Sequence, residues 1–229
     1  MKLVITCEHA TNAIPPEYTY LFKEQNDVLN THEGYDPGAY DLYKFLEPLS
    51  NVSYVQDIGR LLIETNRSLH HPKLFSRFSK ILEHSKKSEI IEKHYSPYRR
   101  HVENIILDFH KLNLTVLHLS IHSFTPVFND LERNCDIGIL YDPKVWLEKE
   151  WSEQFKSSLT EESKYRVRKN YPYHGKADGF TTYLRKVFTE NYIGIEIEVN
   201  QKFVFKNKMN VSLKETIYNS VKDCIKKAP

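Results

Sequence analysis

Cysteine is scarce in the 229-residue sequence: Cys7, Cys135 and Cys224 are odd in number and far apart. That spacing argues against a disulfide framework and predicts reduced thiols in a cytosolic setting. No apolar run approaches the roughly 20 residues that a membrane-spanning helix needs. The opening MKLVITCEHA is interrupted by Glu8 and His9 before it can form the apolar centre of a secretion signal. A soluble, cytoplasmic protein is expected. An excess of one charge is also missing: 32 Lys and Arg stand against 30 Asp and Glu, a formal net charge of +2. The chain therefore carries no broad basic footprint for nucleic acid, and neither nucleic acid nor membrane is expected as a partner. Neither an internal repeat nor a low-complexity linker is visible, and the length suits a single domain over residues 1–229 with a sizeable core.

What is present is an alternation of apolar runs and amphipathic stretches. KLVITC reads as a buried strand that stops at Glu8 and His9. Asp36 and Pro37 read as the N-cap and first position of a helix whose apolar face is Leu42, Phe45 and Leu46. NVSYVQDIGRLLIETNRS looks like one or two strands ending in a polar turn. Two helices broken near Pro97 follow, the second over roughly residues 97–112 with Val102, Ile105, Ile106 and Phe109 inside. TVLHLSIHSF has short length, β-branched neighbours and Pro126 just beyond, which favours a strand with His118, Ser120 and His122 on one face. DIGILYDP is a further strand, EKEWSEQFKSSLTEESK a solvated helix, and YRVRKNYPYHGKADGFTTYLRKVF a loop leading into a short helix. NYIGIEIEVNQ is a late strand, and SLKETIYNSVKDCIKK closes the chain as an amphipathic helix. Alternating strands and helices indicate an α/β sandwich.

In such folds ligand chemistry gathers at the carboxyl ends of the strands. His9 ends the first strand, Asp36 opens the next helix, His122 ends a central strand and Glu198 lies near the end of IGIEIEVN. Two imidazoles and a carboxylate suit a catalytic Zn²⁺ that keeps a position for water, and a second carboxylate suits a general base. No compact H-E-x-x-H helix is present, so such a set must converge from separate segments. Glu33 and His32 share a loop with Asp36 and compete with it as ligands. Cys7, two residues before His9 and so on the same strand face, reads as inert packing. His118 reads as support for a ligating imidazole. Glu196 and Glu198 project to one side of their strand; Glu198, nearer the end, is the better base, and Glu196 is expected to pair with a basic residue. Asn66 and Arg67 either terminate an apolar run or grip a substrate carboxylate, for which the guanidinium fork is shaped. Arg60 is a weaker candidate for that task, Arg133 and Arg168 weaker still, and Lys176 and Asp178 read as loop-shaping.

Taken in order, ITCEHATNAIP, THEGYDPGA, GRLLIETNRS, HYSPYRR, LHLSIHSFTPV, RNCDIGILYD, VRKNYPYHGKADGFT and GIEIEVNQ resemble the motif series of the N-formylglutamate amidohydrolase family, from residue 3 to about residue 201. The resemblance implies a zinc-dependent amidohydrolase with a phosphorylase/hydrolase-like fold, a central mixed sheet with helices on both faces, distantly similar to zinc carboxypeptidases and peptidoglycan amidases. It implies that His9, Asp36 and His122 hold one Zn²⁺ per chain, or another divalent metal, with Glu198 as base. By the same likeness Asn66 and Arg67, with Arg60, would bind a small carboxylate-bearing substrate. The reaction implied is hydrolysis of a linear amide in N-formyl-L-glutamate or a related N-acyl amino acid. Two residues depart from the family pattern: Glu64 stands where Asp is usual, and Tyr35 where Trp is common. The first lengthens a carboxylate beside the expected substrate site and bears on side-chain specificity more than on the reaction. Alternative readings are a cell-wall peptide amidase or carboxypeptidase, disfavoured by the missing export signal, and a metal-free binding protein that has lost turnover.

Overall fold

A computed structural model describes residues 1–161 and 163–227. Along the chain run β1 (Lys2–Cys7), α1 (Ala39–Leu46), β2 (Val52–Val55), α2 (His84–Ile90), α3 (Ser96–Lys111) and β3 (Val116–Phe124). A small hairpin, β4 (Val127–Phe128) and β5 (Leu131–Glu132), precedes β6 (Ile137–Leu140), α4 (Trp146–Glu161), β7 (Val167–Lys169), α5 (Phe180–Val187) and β8 (Tyr192–Asn200). A second hairpin, β9 (Val204–Phe205) and β10 (Lys208–Met209), leads into α6 (Val211–Lys227). Six strands form one mixed sheet in the order β2-β1-β3-β8-β6-β7. The first four are parallel, β6 is antiparallel to β8, and β7 is parallel to β6. No helix among the described residues is long and apolar enough to cross a membrane.

The two faces of this sheet differ in chemistry, and the two-residue side-chain period of a strand makes the division. Leu3, Ile5, Leu117, Leu119, Ile121, Ile195 and Ile197 join residues of α1, α4 and α6 in one apolar cluster. The opposite face takes Val4, Val116 and Tyr192 against α3 and α5, and it also carries the polar residues Thr6, His118, Ser120, Glu196 and Glu198. β3 and β8 are buried at every one of their nine positions, as strands covered on both sides must be. Their polar residues are therefore desolvated, and each must find a partner within the protein.

Several expectations need correction. The apolar LLI of residues 61–63 is not a strand: Leu62 and Ile63 pack with Tyr18, Leu74, Ile90 and Tyr95 in a core of their own, so only Val52–Val55 is strand there. α2 does not break at Pro97 but passes through a π-type turn, Ile91–Tyr95, straight into α3; Pro97 follows that turn directly, and a local π-type adjustment of the ladder is how a continuous helix accommodates irregularity. α4 is not solvated. Its Trp151, Phe155 and Leu159, four apart, lie on one face and are buried. Asp36 does not cap α1 with its side chain: the helix starts at Ala39, and Gly38 occupies the cap with φ of 79°, a left-handed conformation that glycine adopts without strain. A Cβ on Gly38 would also come 2.6 Å from Val204 Cγ2.

Where β8 runs past its pairing with β6, Glu148 of α4 and Arg185 of α5 form a buried ion pair. Glu148 Oε1 accepts from Arg185 Nε at 2.7 Å and from Gly194 N at 2.9 Å, and its Oε2 accepts from Asp142 N at 2.7 Å. Arg185 also donates to the Gly175 and Gly194 carbonyls, tying the loop before α5 to β8. Removing one charge leaves the other buried and unmatched. Glu148→Gln is expected to lower unfolding free energy by about 3 kcal/mol or more, measured by urea denaturation; a loss below about 1 kcal/mol would show that the pair does not organise this edge.

Candidate active site

The site lies at the carboxyl ends of β1, β3 and β8. His122 and Glu198 are direct neighbours across the β3–β8 ladder. His9 follows β1 in a turn, and Asp36 N donates to the His9 carbonyl at 3.0 Å, which straps the Asp36 segment against the strand end. Asp36 Oδ2 lies 3.2 Å from His9 Nδ1 and 3.0 Å from His122 Nδ1, and the two Nδ1 atoms are 3.2 Å apart. All three side chains are buried. Ser123 N and Arg60 Nη1 also donate to Asp36, at 3.3 and 3.2 Å.

The outer ring nitrogens fix the inner ones. His9 Nε2 is 2.6 Å from Glu64 Oε1. His122 Nε2 is 2.8 Å from Ser120 Oγ and 3.2 Å from Glu8 Oε2. Ser120 gives its own proton to Glu8 at 2.5 Å, and Tyr98 donates to the other Glu8 oxygen at 2.8 Å. A carboxylate only accepts, and the Ser120 oxygen, its proton spent, accepts too, so each imidazole donates its Nε2–H outward. Burial alone would raise both acids, but His122 and Ser120 hold Glu8 far below the usual carboxylate range, while Arg60 and His9 do so for Glu64. With those tautomers, two Nδ1 lone pairs and a carboxylate oxygen face one another. Such a group calls for a cation or for extra protons. Although burial favours neutral rings, the surrounding carboxylates raise the pKa of both His9 and His122. Among the described residues, His9, Asp36 and His122 form a donor group compatible with a metal ion.

Glu198 stands apart from this network. Its Oε2 is buried without a hydrogen-bond partner, and burial, with Asp36 and Glu196 nearby, pushes its carboxyl up to about 7. Glu196 does not pair with a basic residue as expected; Thr181 Oγ1 donates to it at 2.5 Å, and Arg185 is committed to Glu148. Gly138 lies opposite Glu198 on β6. A Cβ there would meet the Tyr171 carbonyl at 2.1 Å.

All seven residues singled out from the sequence, His9, Asp36, Arg60, Asn66, Arg67, His122 and Glu198, line one cavity of about 170 Å³. Arg60 is more tied than expected, since its guanidinium meets Glu64 Oε2 at 2.6 Å as well as Asp36. Asn66 Oδ1 accepts from Phe180 N at 2.7 Å, and Arg67 Nη1 donates to the Asp178 carbonyl. Asp178 shapes the loop, as expected, by accepting from Ser68 N and Oγ. Glu33 is excluded from the cluster: it pairs with Arg77 at the surface, and His32 is exposed. His118 does not support His122. It bridges Thr6 Oγ1 at 2.8 Å and Tyr192 OH at 2.7 Å, and burial pushes it down to about 4. Cys7 packs in the apolar cluster with its thiol pushed up by burial; β1 ends at Cys7, so strand alternation does not carry its face through to His9.

Sequence reasoning missed Glu8 and Ser120 behind His122, Glu64 behind His9, and Arg99. The signal for Glu8 was an acid beside a histidine at a strand end, and for Glu64 an acid closing an apolar run. Arg99 had no such signal. Its buried guanidinium is caged by Tyr95, Phe180 and Tyr183 at 5.0, 4.5 and 4.4 Å, and Nη1 donates to the Thr65 and Arg67 carbonyls at 3.1 Å each.

The family model for N-formylglutamate amidohydrolase matches residues 1–205. The chain belongs to the N-formylglutamate amidohydrolase family. Membership places it among the amidohydrolases, which cleave amide bonds with water. No curated protein matches the sequence significantly. Among solved structures, a gene product of Agrobacterium tumefaciens is similar with a TM-score of 0.84 at 22% identity, over 98% of this chain and 90% of that one. N-formylglutamate amidohydrolase from Ralstonia eutropha is similar with a TM-score of 0.70 at 15% identity, over 99% of this chain and 93% of that one. At these identities the likeness shows the fold, a mixed sheet between helices shared along the whole chain.

The Arg99 cage makes a testable demand. Arg99→Lys keeps the charge but loses the planar guanidinium, taking the donor from the Thr65 carbonyl, while the Arg67 carbonyl keeps Tyr95 OH at 2.7 Å. Unfolding free energy is expected to fall by about 1–3 kcal/mol, read from denaturant curves; an unchanged midpoint would mean that the Thr65 carbonyl does not depend on Arg99.

Proposed function

We propose that this protein hydrolyses the amide of an N-acyl amino acid, N-formyl-L-glutamate or a close analogue, with one divalent metal held by His9, Asp36 and His122. The observation that carries this reading is the pairing of three converging acceptors with a partnerless buried carboxylate beside them. The donor set, two imidazoles and one carboxylate with outward-hydrogen-bonded rings, fits Zn²⁺. A Zn²⁺ held by His9, Asp36 and His122 would supply Lewis acidity toward the amide carbonyl and lower the pKa of a water.

The remaining work falls to this chain. Glu198, across the strand ladder from His122, takes a proton from the attacking water and gives it to the leaving nitrogen as the C–N bond breaks. Formate, or another acid, and the free amino acid result. Glu8 and Glu64 keep the two imidazoles in the tautomer that presents Nδ1 inward. Arg67 and Asn66 hold a substrate carboxylate, and Arg60, besides fixing Asp36 and Glu64, retains N–H donors for the same ligand. The departure at Glu64 thus bears on how His9 is held as well as on specificity. A metal-free binding protein would have to bury the same converging acceptors with protons alone. The substrate is a small molecule rather than nucleic acid or membrane, and the three cysteines, all buried and far apart in the chain, accord with a cytoplasmic setting.

Purified protein is expected to carry close to one zinc per chain (about one equivalent, by a three-ligand donor set with one position open), and His9→Ala or His122→Ala to lose it. Full occupancy in both variants by elemental analysis would remove the ligand assignment.

Glu198→Gln keeps the shape and should keep the metal, but it deletes the proton carrier. A fall in kcat of at least about 100-fold with KM little changed is expected. Because only the ionised carboxylate accepts a proton, wild-type kcat/KM should decline as pH falls through the Glu198 pKa, which burial raises and a bound cation lowers. A Glu198→Gln enzyme with normal kcat would end the assignment.

A further inference from the structure

The cavity at the metal-type cluster is small, about 170 Å³, below the roughly 300–1,000 Å³ usual for a small-molecule site. It does not end there. Arg60, Arg67 and Tyr173 line both this cavity and a second one of about 590 Å³. The second cavity is basic. Two of its arginines are balanced, Arg77 by Glu33 and Arg60 by Glu64. Arg67, Lys73 and Lys80 have no carboxylate within ion-pair distance among the described residues, although all three line it. Phe75, Phe128 and Tyr173 supply apolar wall between them.

Nothing in the hydrolysis of a formyl group needs this space. An amide placed at His9, Asp36 and His122, with a carboxylate on Arg67, would fill the small cavity and stop at the shared wall. Whatever continues past Arg67 enters a chamber with unmatched positive charge, where an anion gains and a cation loses. We propose that the site accepts acylated acidic peptides: an N-acyl-glutamate-type head in the small cavity, extended by at least one further carboxylate-bearing residue lying along Lys73 and Lys80. This rests on the amidohydrolase reading for the position of the head, while the charge that sets the basic chamber apart comes from Lys73 and Lys80, outside the catalytic set.

Binding tests it without turnover. N-acetylglutamate, N-acetylglutamylglutamate and the neutral extension N-acetylglutamyl-leucinamide would be titrated into the purified protein by calorimetry at low salt. The acidic dipeptide is expected to bind about 10-fold more tightly than either other ligand, as two modest solvent-exposed ion pairs allow, and to lose that advantage in high salt. In Lys73→Ala/Lys80→Ala, both exposed positions whose removal leaves the core intact, the dipeptide should weaken by about 10-fold while N-acetylglutamate changes little. Equal affinity for acidic and neutral extensions, or an equal loss for both acids in the double variant, would overturn the proposal. Hydrolysis of N-formylglutamate, measured in parallel, reports on the amidohydrolase reading alone, so failure of one does not mimic failure of the other.

Discussion

Buried lone pairs cannot face one another at about 3 Å without something positive among them, and the rest of this structure is arranged around that constraint. Asp36 and the Nδ1 atoms of His9 and His122 meet at 3.0–3.2 Å. They do so because each imidazole is turned by an acid behind it, Glu64 for His9 and Glu8 through Ser120 for His122. Those acids are themselves held, Glu64 by Arg60 and Glu8 by Tyr98. Tyr98 comes from α3 and Arg60 from the loop after β2, so the orientation of two rings depends on elements that meet only in the finished fold. A network of this kind is costly if any member is missing, since each unpaired group stays desolvated.

The sheet makes that network possible by keeping its two faces chemically distinct. One face is apolar and packs on α1, α4 and α6, which gives the strands a reason to pair in one register. The other face can then afford polar residues, because α3 and α5 bring matching groups: Tyr98 for Glu8, and Thr181 for Glu196. His118 shows the same logic away from the site. Bridging Thr6 and Tyr192, it is a satisfied core histidine that links β1, β3 and β8 beneath the reactive end.

This division explains what could be read in the sequence. His9, His122 and Glu198 were legible because strand ends are marked by a change from apolar runs to polar residues, and because alternation groups His122 with Ser120 and Glu198 with Glu196 within their strands; that the two face each other comes from the β3–β8 register. Asp36 was found but for a partly wrong reason: Asp-Pro imitates a helix start, whereas Gly38, at φ of 79°, lets the chain turn and frees the carboxylate for the cluster. Residues 61–63 misled because an apolar triplet buried in a loop core has the same composition as one buried in a strand. Glu8, Glu64 and Arg99 reach His9, Ser120 and the Thr65 and Arg67 carbonyls across 32 to 112 positions, and no local pattern encodes a contact of that range. The family motif series compensated for this, since it carries such distant residues together.

Charge gives the last link between the network and the proposed chemistry. Glu8, Asp36 and Glu64 are all held ionised by their surroundings, and Arg60 is the guanidinium paired directly with two of them. That negative charge is matched either by protons on the imidazoles, which are what lower Glu8 and Asp36, or by a cation in their place. Protonating both imidazoles would balance it equally, but at the expense of the inward lone pairs that the outer acids are placed to expose. Glu198 lies outside this balance: it receives no hydrogen bond at Oε2 and burial raises its pKa. With Glu8, Asp36 and Glu64 committed to imidazoles and arginine, it is the carboxylate left without such a partner. The arrangement separates the groups that must stay charged from the one that must titrate, and that separation is what general-base hydrolysis at neutral pH demands.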